Sequence, residues 1–198
     1  MAETKHLQAL IDGCLKGDRK SQQALHKMFY GKMKALCMRY TRDNDQAMDV
    51  TQEGFVKVFT NLEKYTGVGS FEGWMRRIMV NLSIDRFRRL KHDFVLLGEN
   101  QHLEDWEEED EEEEEDEMDA IYDIRPEQIV DAMQQLSPAY RTVFNLYVYE
   151  NYTHQDIAEA LGISVGTSKS NYSKARRNMK KLLLKELKKK NEQSFKTV

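Results

Sequence analysis

The sequence predicts an all-α protein of two small helical domains joined by a flexible acidic linker. The chain has only two prolines and ten glycines among its 198 residues, so little in it interrupts helices. Apolar residues recur at spacings of three and four, as on the buried face of a helix. The formal net charge of −4 conceals three unlike segments, a basic one at each end and an acidic one between them.

These charges also predict the domain boundaries. Residues 1–92 hold 17 Lys and Arg against 10 Asp and Glu, and residues 126–198 hold 12 against 7. Residues 93–125 hold 1 against 17, and the strip Glu104–Asp119 contains 14 carboxylates in 16 positions. Mutual repulsion and the lack of apolar groups oppose a packed core in such a segment, so residues 93–125 are expected to be a linker. The basic ends suit phosphate backbones, which is a first hint of nucleic-acid binding.

Two apolar stripes in the first segment predict helices that bury one face. A Gly-containing break at residues 66–70 follows the second stripe, and a further helix is expected from Trp74 to Leu90. Core packing accounts for most residues of both stripes. The stripes consist of Leu25, Met28, Phe29, Met33, Leu36, Cys37 and Tyr40, and of Phe55, Val58, Phe59 and Leu62.

The segment after the linker, residues 126–190, contains signals for four helices. Pro126 suits the first turn of a helix, and Ser137 followed by proline is typical of a cap and a helix start. Thr153 with Asp156 three positions later is a short capping signal for the third helix. Residues 191–198 are expected to form a tail.

The third and fourth of these helices form a predicted helix-turn-helix. Ile157 and Leu161 face the core one turn apart, and small Ala158 lets two helices approach closely. Gly162 suits the positive φ that a tight turn requires. The next helix, capped by Ser164, begins polar and becomes basic, which suits base edges first and phosphates afterwards. Its cations are Lys169, Lys174, Arg176, Arg177, Lys180 and Lys181.

One position departs from the usual pattern of this motif. Ser168 stands where an inward-facing aliphatic residue is expected, whereas Tyr172, one turn later, keeps an apolar character. This departure weakens the predicted packing of the two helices without reversing it. The alternative is a basic amphipathic helix pair that has no role in DNA binding.

Several other classes of protein are disfavoured by the sequence. Cys14 and Cys37 lie far apart, without a histidine at ligand spacing, so reduced core cysteines are expected and a metal site or other cofactor is not. A nucleophile–base pair and a Gly-rich phosphate loop are both lacking, so an enzyme is not expected. The chain has neither a secretory signal nor an apolar run of about 18 residues, so we expect a cytoplasmic protein without membrane insertion.

Motifs in both basic segments resemble those of the sigma-70 family. Asp49–Phe55, Phe71–Ile78 and Asn81–Arg89 resemble conserved region two, and residues 137–184 resemble region four. Their order, with no room for the domain that lies between them in larger sigma factors, resembles the extracytoplasmic-function group. The resemblance implies a region 2 helical bundle and a region 4 helix-turn-helix. It also implies a non-enzymatic factor that binds core RNA polymerase and promoter DNA and promotes DNA melting.

The resemblance also implies which residues of the first domain make contacts. Asp49, Gln52 and Glu53 lie within one helical turn and would dock on the clamp helices of the polymerase's largest subunit. The segment from Tyr65 to Phe71 resembles the loop that captures a base flipped out of the −10 element. Asn81 would contact base edges, with a satisfied buried amide as the alternative. The residues expected at −10 DNA are Tyr65, Gly67, Ser70, Phe71, Arg76, Arg77, Asn81, Arg86, Arg88 and Arg89.

For the second domain, the resemblance implies binding of the −35 element in the major groove. Asn171 stands where the family often has arginine, which leaves the preferred −35 sequence open. Thr167 and Arg176 are expected on the DNA backbone. The full set expected at −35 DNA is Thr167, Lys169, Ser170, Ser173, Lys174, Arg176 and Arg177.

The role of the acidic strip stays open between three hypotheses. It is a solubilising spacer, or a mimic of the phosphate backbone in the polymerase cleft, or a screen that covers the basic domains until polymerase binds. An anti-sigma factor, which holds many members of this group, is a further candidate partner. The alternative for the whole chain is a stand-alone helix-turn-helix regulator whose first domain dimerises or senses a ligand.

Overall fold

The computed structural model describes residues 2–96 and 124–195, and the side chains of residues 5–90 and 124–187. Every regular element in these ranges is a helix, so the all-α prediction is confirmed. The chain divides into two compact units, Met1–Arg86 and Phe87–Val198. The division falls within a helix at Arg86, earlier than the boundary after residue 92 that the charge pattern predicts.

The first unit begins with helices that pack in sequential pairs. Asp18 caps the second helix by accepting hydrogen bonds from the backbone N–H groups of Lys20 and Ser21, and Asp43 caps the third by accepting from that of Gln46. The second helix packs against both the first and the third. The elements are α1 (Ala2–Leu15), α2 (Arg19–Tyr40), α3 (Asn44–Thr60), a 3-10 turn (Leu62–Lys64) and α4 (Phe71–Leu96).

Most residues of the two predicted stripes lie in the core of this unit, beside residues of α1 and α4, with two corrections. Met28 is 44% exposed, because it lies at the rim of the α2 stripe next to buried Phe29. The second stripe does not lie on a single helix. Helix α3 ends at Thr60, and Leu62 reaches the core from the following 3-10 turn, where it is 3% exposed.

Both cysteines lie in this core as free thiols. Cys14 and Cys37 are buried, and burial raises the pKa of each thiol above its ordinary value. The thiolate is the reactive form, so both residues stay weakly nucleophilic at neutral pH.

Close approach between α3 and α4 depends on a glycine. A Cβ atom at Gly54 would overlap the sulfur of Met79, whose side chain is fully buried. The exposed Gly31 in the interior of α2 has nothing within 4 Å of the equivalent position. Comparing substitutions at Gly31 and Gly54 therefore distinguishes the effect of core packing from the effect of helix propensity.

We expect alanine to act in opposite directions at these two positions. Gly31→Ala should raise the free energy of unfolding by about 0.5–1 kcal/mol through helix propensity alone. Gly54→Ala gains the same propensity but forces Met79 to move within the core, which costs about 1–3 kcal/mol, so a net loss is expected. Urea unfolding followed by circular dichroism measures both values. Equal stabilisation by the two variants would contradict the close packing at Gly54.

The second unit contains the four helices that the sequence predicts, with caps where expected. Helix α8 packs against the other three. Ser137 Oγ accepts a hydrogen bond from the backbone N–H of Tyr140, and Ser164 Oγ accepts one from that of Thr167. The elements are α5 (Pro126–Gln135), α6 (Pro138–Val148), α7 (His154–Leu161) and α8 (Val165–Phe195).

Two helices run past the ends that the sequence predicts for them. Helix α8 continues to Phe195, so the tail predicted from residue 191 is helical over most of its length. Helix α4 continues to Leu96, into the predicted linker. The acidic strip Glu104–Asp119 lies outside the described residues, and its three hypotheses stay predictions.

Arg141 on α6 is a buried charge that binds the end of α5. It is 4% exposed, and its Nε donates to the carbonyl oxygen of Met133 at 3.0 Å. Its Nη2 donates to the carbonyl oxygens of Gln134 at 3.1 Å and Leu136 at 2.6 Å. These carbonyl groups lie at the carboxyl end of α5, where the regular i+4 backbone donors of the helix end, although the Met133 oxygen also accepts the N–H of Leu136 at 3.1 Å. Arg141 therefore joins two helices by polar contacts inside the core.

Over residues 2–96 and 124–195, no helix has the length and apolarity needed to cross a bilayer. The same part of the chain has no group of three or more His, Cys, Asp or Glu residues placed to hold a metal ion.

Candidate protein-binding and nucleic-acid surfaces

The predicted polar edge lies on the outer face of α3. Asp49 and Gln52 are exposed, and Glu53 is half-buried. Glu53 Oε2 lies 3.8 Å from Arg86 Nη1, and its Oε1 lies 4.0 Å from Lys57 Nζ. Of the three predicted residues, Asp49 and Gln52 therefore present exposed polar side chains, whereas the Glu53 carboxylate forms ion pairs within the unit.

Two apolar side chains on the same helix were missed by sequence reasoning. Met48 is 39% exposed and Val56 is 61% exposed. They lie four residues before and four after Gln52, so the three residues form one row along the helix. Val56 could have been found in the sequence as an apolar residue out of phase with the predicted stripe, whereas Met48, seven positions before Phe55, is in phase with it. A row that mixes apolar and polar groups fits a protein partner better than a purely solvated face does.

The segment between the 3-10 turn and α4 is held by its own contacts. Gly67 and Gly69 both have positive φ, at 77° and 78°, which a residue with a Cβ adopts only with strain. The Tyr65 hydroxyl donates to the carbonyl oxygen of Gly69 at 3.1 Å. Ser70 Oγ accepts from the backbone N–H of Gly73 at 3.0 Å and caps α4, which explains why that helix starts at Phe71 and not at Trp74.

Three aromatic rings form a cluster that connects the start of this segment to the first turn of α4. The Tyr65 ring centroid lies 5.0 Å from that of Phe71 and 5.5 Å from that of Trp74, and the Phe71 and Trp74 centroids lie 5.5 Å apart. Phe71 also packs on Phe29 and is 2% exposed. Its predicted contact with DNA is therefore corrected, because its side chain lies in the core and holds the loop. Tyr65 and Trp74 are half-buried and keep part of their surface open.

Helix α4 presents Asn81 to solvent. Its side chain is exposed, which excludes the alternative of a buried amide. Trp74, Arg77 and Asn81 fall at i, i+3 and i+7 and share one face of the helix. Arg77, Arg88 and Arg89 are exposed, whereas Arg76 and Arg86 are half-buried.

The helix-turn-helix forms as the sequence predicts. Thr153 and Asp156 cap α7 reciprocally, since the Thr153 backbone N–H donates to the Asp156 carboxylate and the Asp156 N–H donates to Thr153 Oγ1. The Thr153 hydroxyl, which donates to Asp156 Oδ2 at 2.6 Å, and the Thr153 backbone N–H together hold the pKa of Asp156 below its ordinary value. Gly162 ends α7 with φ 63°, and Ile163 donates its N–H to the carbonyl oxygen of Ala158.

The predicted −35 residues lie on α8 with two degrees of exposure. Ser170, Ser173 and Arg177 fall at i, i+3 and i+7 and form one outward row. Thr167 and Lys174 are half-buried, and the Thr167 hydroxyl is hydrogen-bonded to that of Ser164 at 2.9 Å. The exposed members of the set are Lys169, Ser170, Ser173, Arg176 and Arg177.

Both halves of the chain match models of one protein family. Residues 25–92 match sigma-70 region 2, and residues 127–179 match sigma-70 region 4. Curated relatives match most of the chain and bear the name of the extracytoplasmic-function group. The chain belongs to the extracytoplasmic-function group of the sigma-70 family.

Two such relatives share little more than a quarter of their residues with this sigma-70 family member. The sigma-E factor of Haemophilus influenzae is 29% identical over 186 residues, which cover 89% of this chain and 94% of the relative. The sigma factor SigW of Bacillus subtilis is 28% identical over 172 residues, which cover 85% and 91%. The solved structure of the sigma factor RpoE with the anti-sigma factor NepR from Bartonella quintana has a TM-score of 0.45 and 16% identity, covering 81% of this chain and 95% of that one.

The family matches include the predicted site residues, while α1 and the acidic strip lie outside both matched ranges. Within the region 4 match, the structure corrects one expectation about packing. Ser168 is fully buried, and its hydroxyl is hydrogen-bonded to His154. The serine therefore contributes to the interface between α7 and α8. Sequence reasoning missed the histidine, because 14 positions separate the two residues and no local pattern links them.

Proposed function

We propose that this chain is an alternative sigma factor that binds core RNA polymerase, recognises −35 and −10 promoter elements and promotes DNA melting. The observation that supports it most directly is the presence of region 2 and region 4 in one chain, in that order. Such a factor acts as a regulatory subunit and not as an enzyme, and it works in the cytoplasm with the polymerase. An anti-sigma partner stays a prediction.

The face of α3 is the proposed contact with core polymerase. Asp49 and Gln52 supply exposed polar groups, and Met48 and Val56 supply apolar area beside them. Apolar groups flanked by polar ones are typical of interfaces between proteins. Glu53 contributes less directly, because its carboxylate already pairs with Arg86 and Lys57.

The loop after the 3-10 turn and the adjoining face of α4 are proposed to bind the −10 element. Tyr65 and Trp74 offer partly open ring faces on which an unstacked base can lie. Gly67 and Gly69 leave room for close approach of the backbone, and Ser70 holds the base of the loop. Asn81 is exposed on the same helix face as Trp74 and can hydrogen-bond a base edge. The arginines of α4, Arg76, Arg77, Arg86, Arg88 and Arg89, are proposed to hold phosphates.

The outward row of α8 is proposed to lie in the major groove at −35. Ser170 and Ser173 are exposed with short polar side chains suited to base edges, and Lys169 adds a long cation near them. Lys174, Arg176 and Arg177 are placed further along α8 for phosphates, and Thr167 for the DNA backbone next to the turn. Phosphate contacts of this kind make binding weaken as salt concentration rises.

Reconstitution with purified core polymerase tests this proposal. The chain should co-purify with core polymerase and direct initiation from a subset of fragments in a genomic library, while core polymerase alone should not. Footprints are expected only in the presence of polymerase and should cover two elements. A chain that protects an operator by itself and does not bind polymerase would instead support the stand-alone regulator.

A further inference from the structure

The interface between α7 and α8 contains two hydrogen-bonded polar side chains at a place where apolar side chains are usual. Ser168 on α8 is 0% exposed, and its Oγ lies 3.0 Å from His154 Nδ1 on α7. A buried hydroxyl is costly unless it is hydrogen-bonded, so the histidine offsets the presence of serine in this position. With Nδ1 unprotonated, the hydroxyl donates and the imidazole accepts.

The histidine ring is held in place by aromatic neighbours. It stacks on Tyr147 of α6 with ring centroids 4.6 Å apart and an angle of 18° between the planes. The ring of Tyr172, on α8 one turn after Ser168, lies 5.8 Å from His154 and 4.4 Å from Tyr147. These contacts hold the plane of the imidazole, and within that plane a flipped ring would place Cδ2 against the Ser168 hydroxyl, so the hydrogen bond selects the orientation that directs Nδ1 at Ser168. The three rings and the hydroxyl together join α6, α7 and the first turns of α8.

A hydrogen bond constrains α8 in a way that apolar contact does not. Apolar packing tolerates small rotations, whereas a hydrogen bond weakens steeply with angle and distance. Side-chain ends lie roughly 5–6 Å from a helix axis, so a rotation of about 10° moves them by about 1 Å. A movement of 1 Å is enough to break a contact with a base edge. Ser168 immediately precedes exposed Lys169 and Ser170, so its hydrogen bond constrains α8 where the outward row begins.

We propose that His154 and Ser168 are positioning residues that set the rotation of α8 and thereby the −35 sequence that this chain selects. Neither residue contacts DNA in this proposal, and both act through the exposed row Ser170, Ser173 and Arg177. The inference rests on the proposed function, since it concerns how the −35 element is read.

Two variants separate the hydrogen bond from packing. His154→Asn retains a hydrogen-bonding atom two bonds from Cβ, where Nδ1 stands, but loses the ring contacts. The double variant His154→Leu with Ser168→Val removes the hydrogen bond and replaces it with apolar packing. The full-length chains are assembled with core polymerase. The probe is a promoter selected by the wild-type holoenzyme from a library randomised at −35, beside the same promoter with that element replaced.

The two variants are expected to diverge in stability and discrimination. His154→Asn should unfold at a lower temperature yet keep the wild-type ratio of transcription between the two promoters. The double variant should be at least as stable as wild type but lose about tenfold in this ratio, the contribution of about one base contact. If the double variant does not fold, Ser168→Ala takes its place with the same expected loss.

A double variant that keeps the ratio would overturn the inference, and so would a His154→Asn variant that loses it equally. Wild-type holoenzyme that does not distinguish the two promoters would contradict the proposed function itself. The two failures are therefore distinguishable.

Discussion

Replacing Arg141 with methionine is expected to lower the stability of the second unit by about 3–5 kcal/mol, because three carbonyl oxygens lose the guanidinium as a donor, at roughly 1–3 kcal/mol for each oxygen left unsatisfied. These oxygens belong to Met133, Gln134 and Leu136 at the end of α5. Methionine fills much of the same volume, so the loss comes mainly from hydrogen bonding and not from a cavity. Lysine in this position keeps the charge but lacks the forked donors of arginine, and we expect a smaller loss of stability.

Amide hydrogen exchange with mass spectrometry measures this effect unit by unit in the full chain. Arg141→Met should speed exchange over residues 126–187 and leave residues 5–86 unchanged. Arg177→Met is the matched control, because Arg177 is exposed on α8 and its loss should change stability by at most about 0.5 kcal/mol. Equal exchange in the two variants would show that the contacts of Arg141 contribute nothing to the fold.

Reversal of charge at Asp49 is expected to reduce the affinity for core polymerase on the order of 100-fold, as for an interfacial charge that loses its partner and meets repulsion. Asp49 is exposed on α3, so Asp49→Lys should leave the fold intact. The loss should be smaller at high salt, since ions screen the unfavourable charge. Competition between labelled wild-type chain and each variant for purified core polymerase measures the affinity.

Asp12→Lys is the matched control for this experiment. Asp12 is likewise an exposed aspartate on a helix of the first unit, but it lies on α1, outside the residues that match region 2. Its substitution makes the same change in charge and should leave the affinity near that of wild type. If both variants lost affinity equally, the effect would reflect overall charge and the α3 face would not be the docking surface.

The structure confirms those sequence predictions that depend on neighbouring residues. The caps at Ser137, Thr153 and Ser164 form as predicted, and Gly162 takes the positive φ that the turn requires. Helix ends were less accurate, since α4 begins at Phe71 and α8 runs to Phe195. No proline or glycine follows the predicted carboxyl ends of α4 and α8 directly, and the start of α4 depends on the Ser70 cap.

For the candidate site residues, too, a prediction that held depends on local helical phase, and the one that failed depends on a distant contact. That Asp49 is exposed agrees with its helical phase relative to the apolar stripe of α3. Gln52, three positions before Phe55, is in phase with that stripe, so its exposure was decided by packing. Phe71 could not be placed by phase, because an aromatic residue beside a loop suits either the core or a bound base. Only the contact with Phe29, 42 positions earlier in the chain, decides for the core.

The helical class, the order of the two modules and the polar faces of α3 and α8 could all be predicted from the order of residues along the chain. Each depends on periodicity, charge or capping within a few residues. The folded chain was needed to show that Ser168 is hydrogen-bonded to His154, that Glu53 pairs with Arg86 and that Arg141 binds the end of α5. Each of these pairs joins different helices, so its energy depends on how the helices pack. A polar residue in an apolar pattern shows that a partner is needed, and the folded chain shows which residue it is.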